Sequence, residues 1–152
     1  MSFLLEDNRV DPNLDYTYIS VIGAENRLDL MKYIFLNNKI NFKNEKIYLD
    51  FRDALMYASK GGYENMVKLL LDNVGYDDYI INKSLGDAID NNHPKIVKLI
   101  LREYPDVVVW AGVFEKATEK VKILDILLKN IELPYENPIN ELIVYAADKG
   151  FW

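Results

Sequence analysis

Gly62-Tyr63-Glu64-Asn65-Met66-Val67-Lys68-Leu69-Leu70-Leu71 returns 30 residues later as Asn92-His93-Pro94-Lys95-Ile96-Val97-Lys98-Leu99-Ile100-Leu101. The same phrase stands earlier as Asn26-Arg27-Leu28-Asp29-Leu30-Met31-Lys32-Tyr33-Ile34-Phe35. Self-similarity at a period of about 30 residues marks a stacked array, in which each unit buries its apolar face on its neighbour. Working outward, Asn26, Gly62, Asn92 and Gly150 occupy matching turn positions. Gly and Asn are the residues that tolerate the left-handed conformation that ends a helix. Small residues precede each turn: Ala58-Ser59, Ala88, Ala117-Thr118 and Ala146-Ala147. They let neighbouring helices approach closely. After each turn comes an apolar stripe with i, i+1, i+4 spacing: Leu30, Met31, Ile34; Met66, Val67, Leu70; Ile96, Val97, Ile100; Ile123, Leu124, Leu127. That spacing buries one helical face. Lys32, Lys68 and Lys98 take the opposite face, and Asp125 replaces them in the fourth copy.

The spacing predicts helix pairs over 17–37, 52–73, 83–103 and 110–130, with a last helix near 138–148. The turn at Glu119-Lys120 is shortened and lacks a clear Gly or Asn. Between Lys39 and Phe51, Ile40, Phe42, Ile47, Leu49 and Phe51 partly alternate with polar residues. This reads as a hairpin with its tip at Asn44-Glu45.

Composition bounds the function. The chain has 152 residues, half of them hydrophobic, enough for a continuous core. It has no cysteine, which excludes a disulfide framework, a thiolate metal site and a cysteine nucleophile. A net charge of −6 argues against a phosphate-backbone partner, so no nucleic acid is expected. No apolar run approaches the roughly 20 residues of a membrane span, so no membrane partner is expected. Acids follow the short apolar run Phe3-Leu4-Leu5, which is not a secretory signal. A cytoplasmic location is the expectation. Abundant Asn, Ile, Tyr and Lys point to an AT-rich source such as a giant virus, an amoeba, a parasite or a low-GC bacterium.

Ala54-Leu55-Met56-Tyr57-Ala58-Ser59-Lys60-Gly61-Gly62-Tyr63 and Ile96-Val97-Lys98-Leu99-Ile100-Leu101 resemble ankyrin repeats. The resemblance spans about residues 10–152 and is to the degenerate repeats common in large DNA viruses and amoebae. The family's Thr-Pro-Leu-His opening is reduced to Thr17, Leu55 and Leu85, which leaves open what locks neighbouring repeats. Its Gly-His turn survives as Asn92-His93 and, without His, as Gly62-Tyr63, Gly150-Phe151 and Asn26-Arg27. The resemblance implies an all-α solenoid of stacked helix-turn-helix units with short hairpin-like connections, forming one domain over 1–152. Its repeats fall at about 14–47, 48–79, 80–107 and 108–135, between partial units at 1–13 and 136–152.

The resemblance also implies a concave surface formed by first helices and connection tips. Carried over by position, it selects Glu25, Lys60, Asp90, Asn91, Asp148 and Lys149 before the turns. It selects Tyr16, Arg52, Asn82 and Asn140 ahead of first helices, and Asp77, Asp78 and Tyr79 at a tip. Tyr76, Tyr79, Trp110 and Tyr135 fall in or beside connections, as binding contacts or as covers of the core edge.

Catalysis has little support. The single His93 cannot build a histidine metal cluster, and Gly61-Gly62 lacks the Lys-Ser/Thr of a phosphate loop. Asp87 and Asp90 lie one helical turn apart and could do acid–base chemistry, but an acidic protein presents such pairs on a solvated face. No cofactor and no metal are expected. The leading expectation is a non-catalytic module that offers a groove to a protein partner, a viral host-interaction factor being one form of it. The alternative is an assembly subunit. For that reading, Leu142, Tyr145, Phe151 and Trp152 form an apolar C-terminal edge that packs on a second copy or a partner.

Overall fold

A computed structural model describes residues 17–36 and 40–130. Among these residues the chain forms eight helices and no strand. They pair in order: α1 (Thr17–Ala24) with α2 (Leu28–Leu36), α3 (Glu45–Gly61) with α4 (Glu64–Asn73), α5 (Asp78–Asp90) with α6 (Pro94–Glu103), and α7 (Ala111–Ala117) with α8 (Val121–Asn130). First helices α1, α3, α5 and α7 pack in one row, and second helices α2, α4, α6 and α8 pack in another. The core lies between the rows. The final helix near 138–148 and both partial end units fall outside the described residues.

The turn residues act as their chemistry requires. Asn26, Gly62 and Asn92 have φ of 54°, 78° and 59°, the left-handed region. At each, the next residue's N–H reaches back five positions: Arg27 to the Ile22 carbonyl, Tyr63 to Ala58, His93 to Ala88, at 2.8–3.0 Å. This closes the helix-end carbonyls left open by the α-helical pattern. The fourth turn is shorter, as its sequence predicts. Thr118 stays right-handed at φ −58°, and Lys120 N–H bonds the Ala117 carbonyl at 2.8 Å.

Second-helix stripes are buried as their spacing predicts, except that Leu124 in the fourth is only half-buried. Met66, Val67, Leu70, Val97 and Ile100 are fully enclosed. First helices meet through small residues: Ala54, Ala58, Ala88 and Ala117 are also fully buried. Gly23 shows the closest approach, since a Cβ there would lie 2.7 Å from Ala54 Cα.

The hairpin expected around Asn44-Glu45 does not form. Asn44 is instead a helix N-cap whose side chain accepts from the Lys46 N–H at 3.0 Å. Helix α3 starts at Glu45 and crosses residues 47–48, where a repeat boundary was expected. The apolar residues Ile47, Phe51, Ala54, Leu55 and Ala58 repeat at helical spacing and are all buried. A period near 3.6 held over about three turns, from Ile47 to Ala58, outweighs a shorter partial alternation. The third pair likewise starts earlier than 83, because Asp77 caps α5 by accepting from Ile80 N–H at 2.9 Å.

With the Thr-Pro-Leu-His motif reduced, other side chains tie neighbouring repeats. His93 Nε2 lies 3.0 Å from the Lys60 carbonyl, one turn hydrogen-bonded to the next. The Tyr76 hydroxyl donates to the Phe51 carbonyl at 3.2 Å, and the Tyr104 hydroxyl accepts from Tyr76 N–H at 3.0 Å. Asn82 spans the third and fourth units. Its amide donates to the Asp78 and Val108 carbonyls at 2.8 and 3.0 Å, and its carbonyl accepts from Trp110 N–H at 2.8 Å.

Candidate surface on the first-helix row

Helices α3, α5 and α7 each bury the side that meets the second helices and leave polar and aromatic residues on the other. Two clusters result. The first gathers near the turns. Lys60 closes α3 and Asp90 closes α5, and Lys116 on α7 forms an ion pair with Asp90. Lys120 Nζ reaches the Asp90 carbonyl at 3.4 Å. Half-buried Asp87 lies within the fields of Lys60, Asp90 and Lys116. Burial pushes its carboxyl above the ordinary aspartate range, and Asp90 adds to the rise, while Lys60, Lys116 and Lys83 oppose it.

The second cluster lies at the opposite ends of α5 and α7. Tyr79 and Trp110 are 52% and 41% exposed, and their rings meet edge to face at 5.6 Å. Lys83 Nζ sits 5.7 Å from the Tyr79 ring centroid, within cation–π range. Val108 beside them is also exposed. Asn82 fixes this arrangement from below, since one amide nitrogen bonds the carbonyls of both Asp78 and Val108.

The structure thus brings together Lys60, Asp90 and the neighbouring Asn91 at one end, and Asp77, Asp78 and Tyr79 at the other. Arg52 lies on α3, half-buried and paired with its neighbour Asp53 at 2.7 Å. Glu25 is exposed at the turn after α1. One expectation needs correction. Asn82 is no surface contact: it is 1% exposed, because its amide bonds the Val108 carbonyl and the Trp110 N–H inside the fold. Of the two roles open to Tyr76, it takes the core one, with its hydroxyl satisfied inside the protein. Tyr16, Tyr135, Asn140, Asp148 and Lys149 lie outside the described residues, as do Leu142, Tyr145, Phe151 and Trp152.

Sequence reasoning missed Tyr57, Lys83, Val108 and Lys116 as surface residues. Tyr57 is half exposed on α3. Aligning Ala58 with Ala88 sets Tyr57 against Asp87 and Lys116, all on the face away from the core. That register was available in the sequence.

An open cleft of about 370 Å³ lies elsewhere, at the first two turns, lined by Asn26, Leu28, Gly62, Tyr63, Glu64 and Asn65. Its one carboxylate, Glu64, is engaged by Lys95 at 3.3 Å. Among the described residues no group of three or more His, Asp or Glu side chains is placed to hold a metal ion. No helix among them is long and apolar enough to cross a membrane.

Residues 19–109 match the family model for ankyrin repeats, in three copies. Neither the curated proteins nor the solved structures that were compared gave a match.

Proposed function

The chain belongs to the ankyrin-repeat family, and from that premise we propose that it is a non-catalytic binding module whose first-helix row and connection tips engage a protein partner. Ankyrin repeats generally mediate protein–protein interactions. The observation that carries the reading to this face is the joint exposure of Tyr79 and Trp110 beside a row of charged side chains. Aromatic rings offer large contact area at low entropic cost and are enriched among binding hot spots. A cytoplasmic setting and a viral host-interaction role are the finer form of this reading, the bias toward Asn, Ile, Tyr and Lys fitting a viral source among others.

The test is a comparison of two folded variants against a partner protein recovered with the full chain. Replacing Arg52, Lys60, Tyr79 and Asp90 by alanine should weaken binding about tenfold or more if these positions include hot spots. Replacing Lys68 and Lys98 on the second-helix row should leave affinity unchanged. The reverse ranking would move the site to the other row. The assembly-subunit alternative rests on the apolar segment 138–152. Removing Phe151 and Trp152 tests it: lost self-association with an unchanged melting temperature would favour it.

A further inference from the structure

The aromatic cluster has a chemical preference that exposure alone does not state. An edge-to-face pair leaves ring faces available, and ring faces carry negative potential that attracts cations. Tyr79 already holds one, the Lys83 ammonium at 5.7 Å. Lys83 makes no ion pair among the described residues; the Tyr79 ring is its close partner, and Asp87, one turn along α5, attracts it from farther off. The chain leading into both rings is acidic as well. Asp78 precedes Tyr79, Asp106 lies four residues before Trp110, and both are exposed. Neither forms an ion pair among the described residues, and the whole chain carries −6. Other charges on the row are satisfied: Lys116 pairs with Asp90, and Arg52 with Asp53. Lys60 faces Asp87 at the far end of the helices.

We propose that the Tyr79–Trp110 pair seats a lysine or arginine side chain from a basic segment of the protein partner, and that Lys83 is the internal cation the partner displaces. This rests on the first-helix row being the binding face. Val108, 52% exposed, gives the stem of such a side chain an apolar surface to lie on. Asn82 supplies rigidity, because its three hydrogen bonds hold the two tips in one register before the partner arrives.

The experiment pans random peptides displayed on phage against the full chain. Selected peptides are then synthesised and titrated against four forms of it. These are the wild type, Tyr79→Leu with Trp110→Leu, Lys83→Met, and Lys60→Ala with Asp90→Ala. The leucine pair keeps apolar contact area and removes the ring faces, so a merely apolar contact would survive it. The selected peptides should be rich in Lys and Arg. The leucine pair should weaken them several-fold, and Lys83→Met should tighten them by about 2–5-fold, the worth of one exposed cation–π contact. Acidic or uncharged peptides, or basic peptides indifferent to the leucine pair, overturn the proposal. So does weaker binding to Lys83→Met, which would make Lys83 a direct contact for a partner carboxylate. If Lys60→Ala with Asp90→Ala abolishes binding and the leucine pair does not, only this inference falls. Peptides indifferent to both, or no selected peptide at all, overturn the first-helix reading along with it.

Discussion

Asn82 illustrates how one buried amide can set the register of two repeats. Its side chain stands in for a backbone strand, accepting from Trp110 N–H and donating to Val108 and Asp78 carbonyls. Asn82→Ala would leave the Trp110 donor and the Val108 acceptor without that partner. The expected loss is about 1–3 kcal/mol in urea unfolding, the cost of stranding a buried polar group. Asp87 predicts an effect of opposite sign. Its folded carboxyl titrates above its ordinary 3.8, chiefly through burial. The folded state therefore holds that proton more tightly than the unfolded state does. Stability from this group is full below the ordinary value and falls as pH rises through the window up to the raised folded value. Asp87→Asn should raise the melting temperature at pH 7, and the gain should vanish on acidification below 3.8. An equal gain at both pH values would assign the effect to something other than titration.

The helices obey a simple rule of two rows, and the second row was nearly all legible in advance. Its stripes need one periodicity, and Met66, Val67, Leu70, Ile96, Val97 and Ile100 provide it and are buried. The left-handed turns were legible too, because only Gly and Asn occupy them without strain and three of them were in register. The start of α3 was not. Lys46, Asp50 and Arg52 flank and interrupt Ile47, Leu49 and Phe51, which is enough to mimic an alternating strand over that short stretch. Only the full run from Ile47 to Ala58 shows the longer period. Asn82 was misread for another reason. Asn is a surface residue by composition, and nothing local in the sequence reveals hydrogen bonds to positions 26 and 28 residues away. At this scale the prediction is energetic. Leu70 and Ile100 are fully buried in α4 and α6, and truncating either to Ala should cost about 2–5 kcal/mol. Chemical denaturation followed by circular dichroism measures it, and an unmoved midpoint would contradict the register.

Over the described residues the molecule is a short array in which each unit contacts its neighbours and one core runs through the stack. Such arrays hold together as a sum of unit and interface terms. They leave one row of helices free to present side chains while the other row anchors them. Here the free row carries the Tyr79–Trp110 pair at one end and the Tyr57, Lys60, Asp87, Asp90 and Lys116 cluster at the other, with Lys83 between. This row is where we propose that a protein partner binds. Backbone hydrogen exchange on the full chain, free and bound to a captured partner protein, tests that claim most directly. Added protection should concentrate at residues 52–60, 77–91 and 108–117, on the first helices and their tips. Protection confined to residues 64–73 and 94–103, the second-helix row, would contradict it.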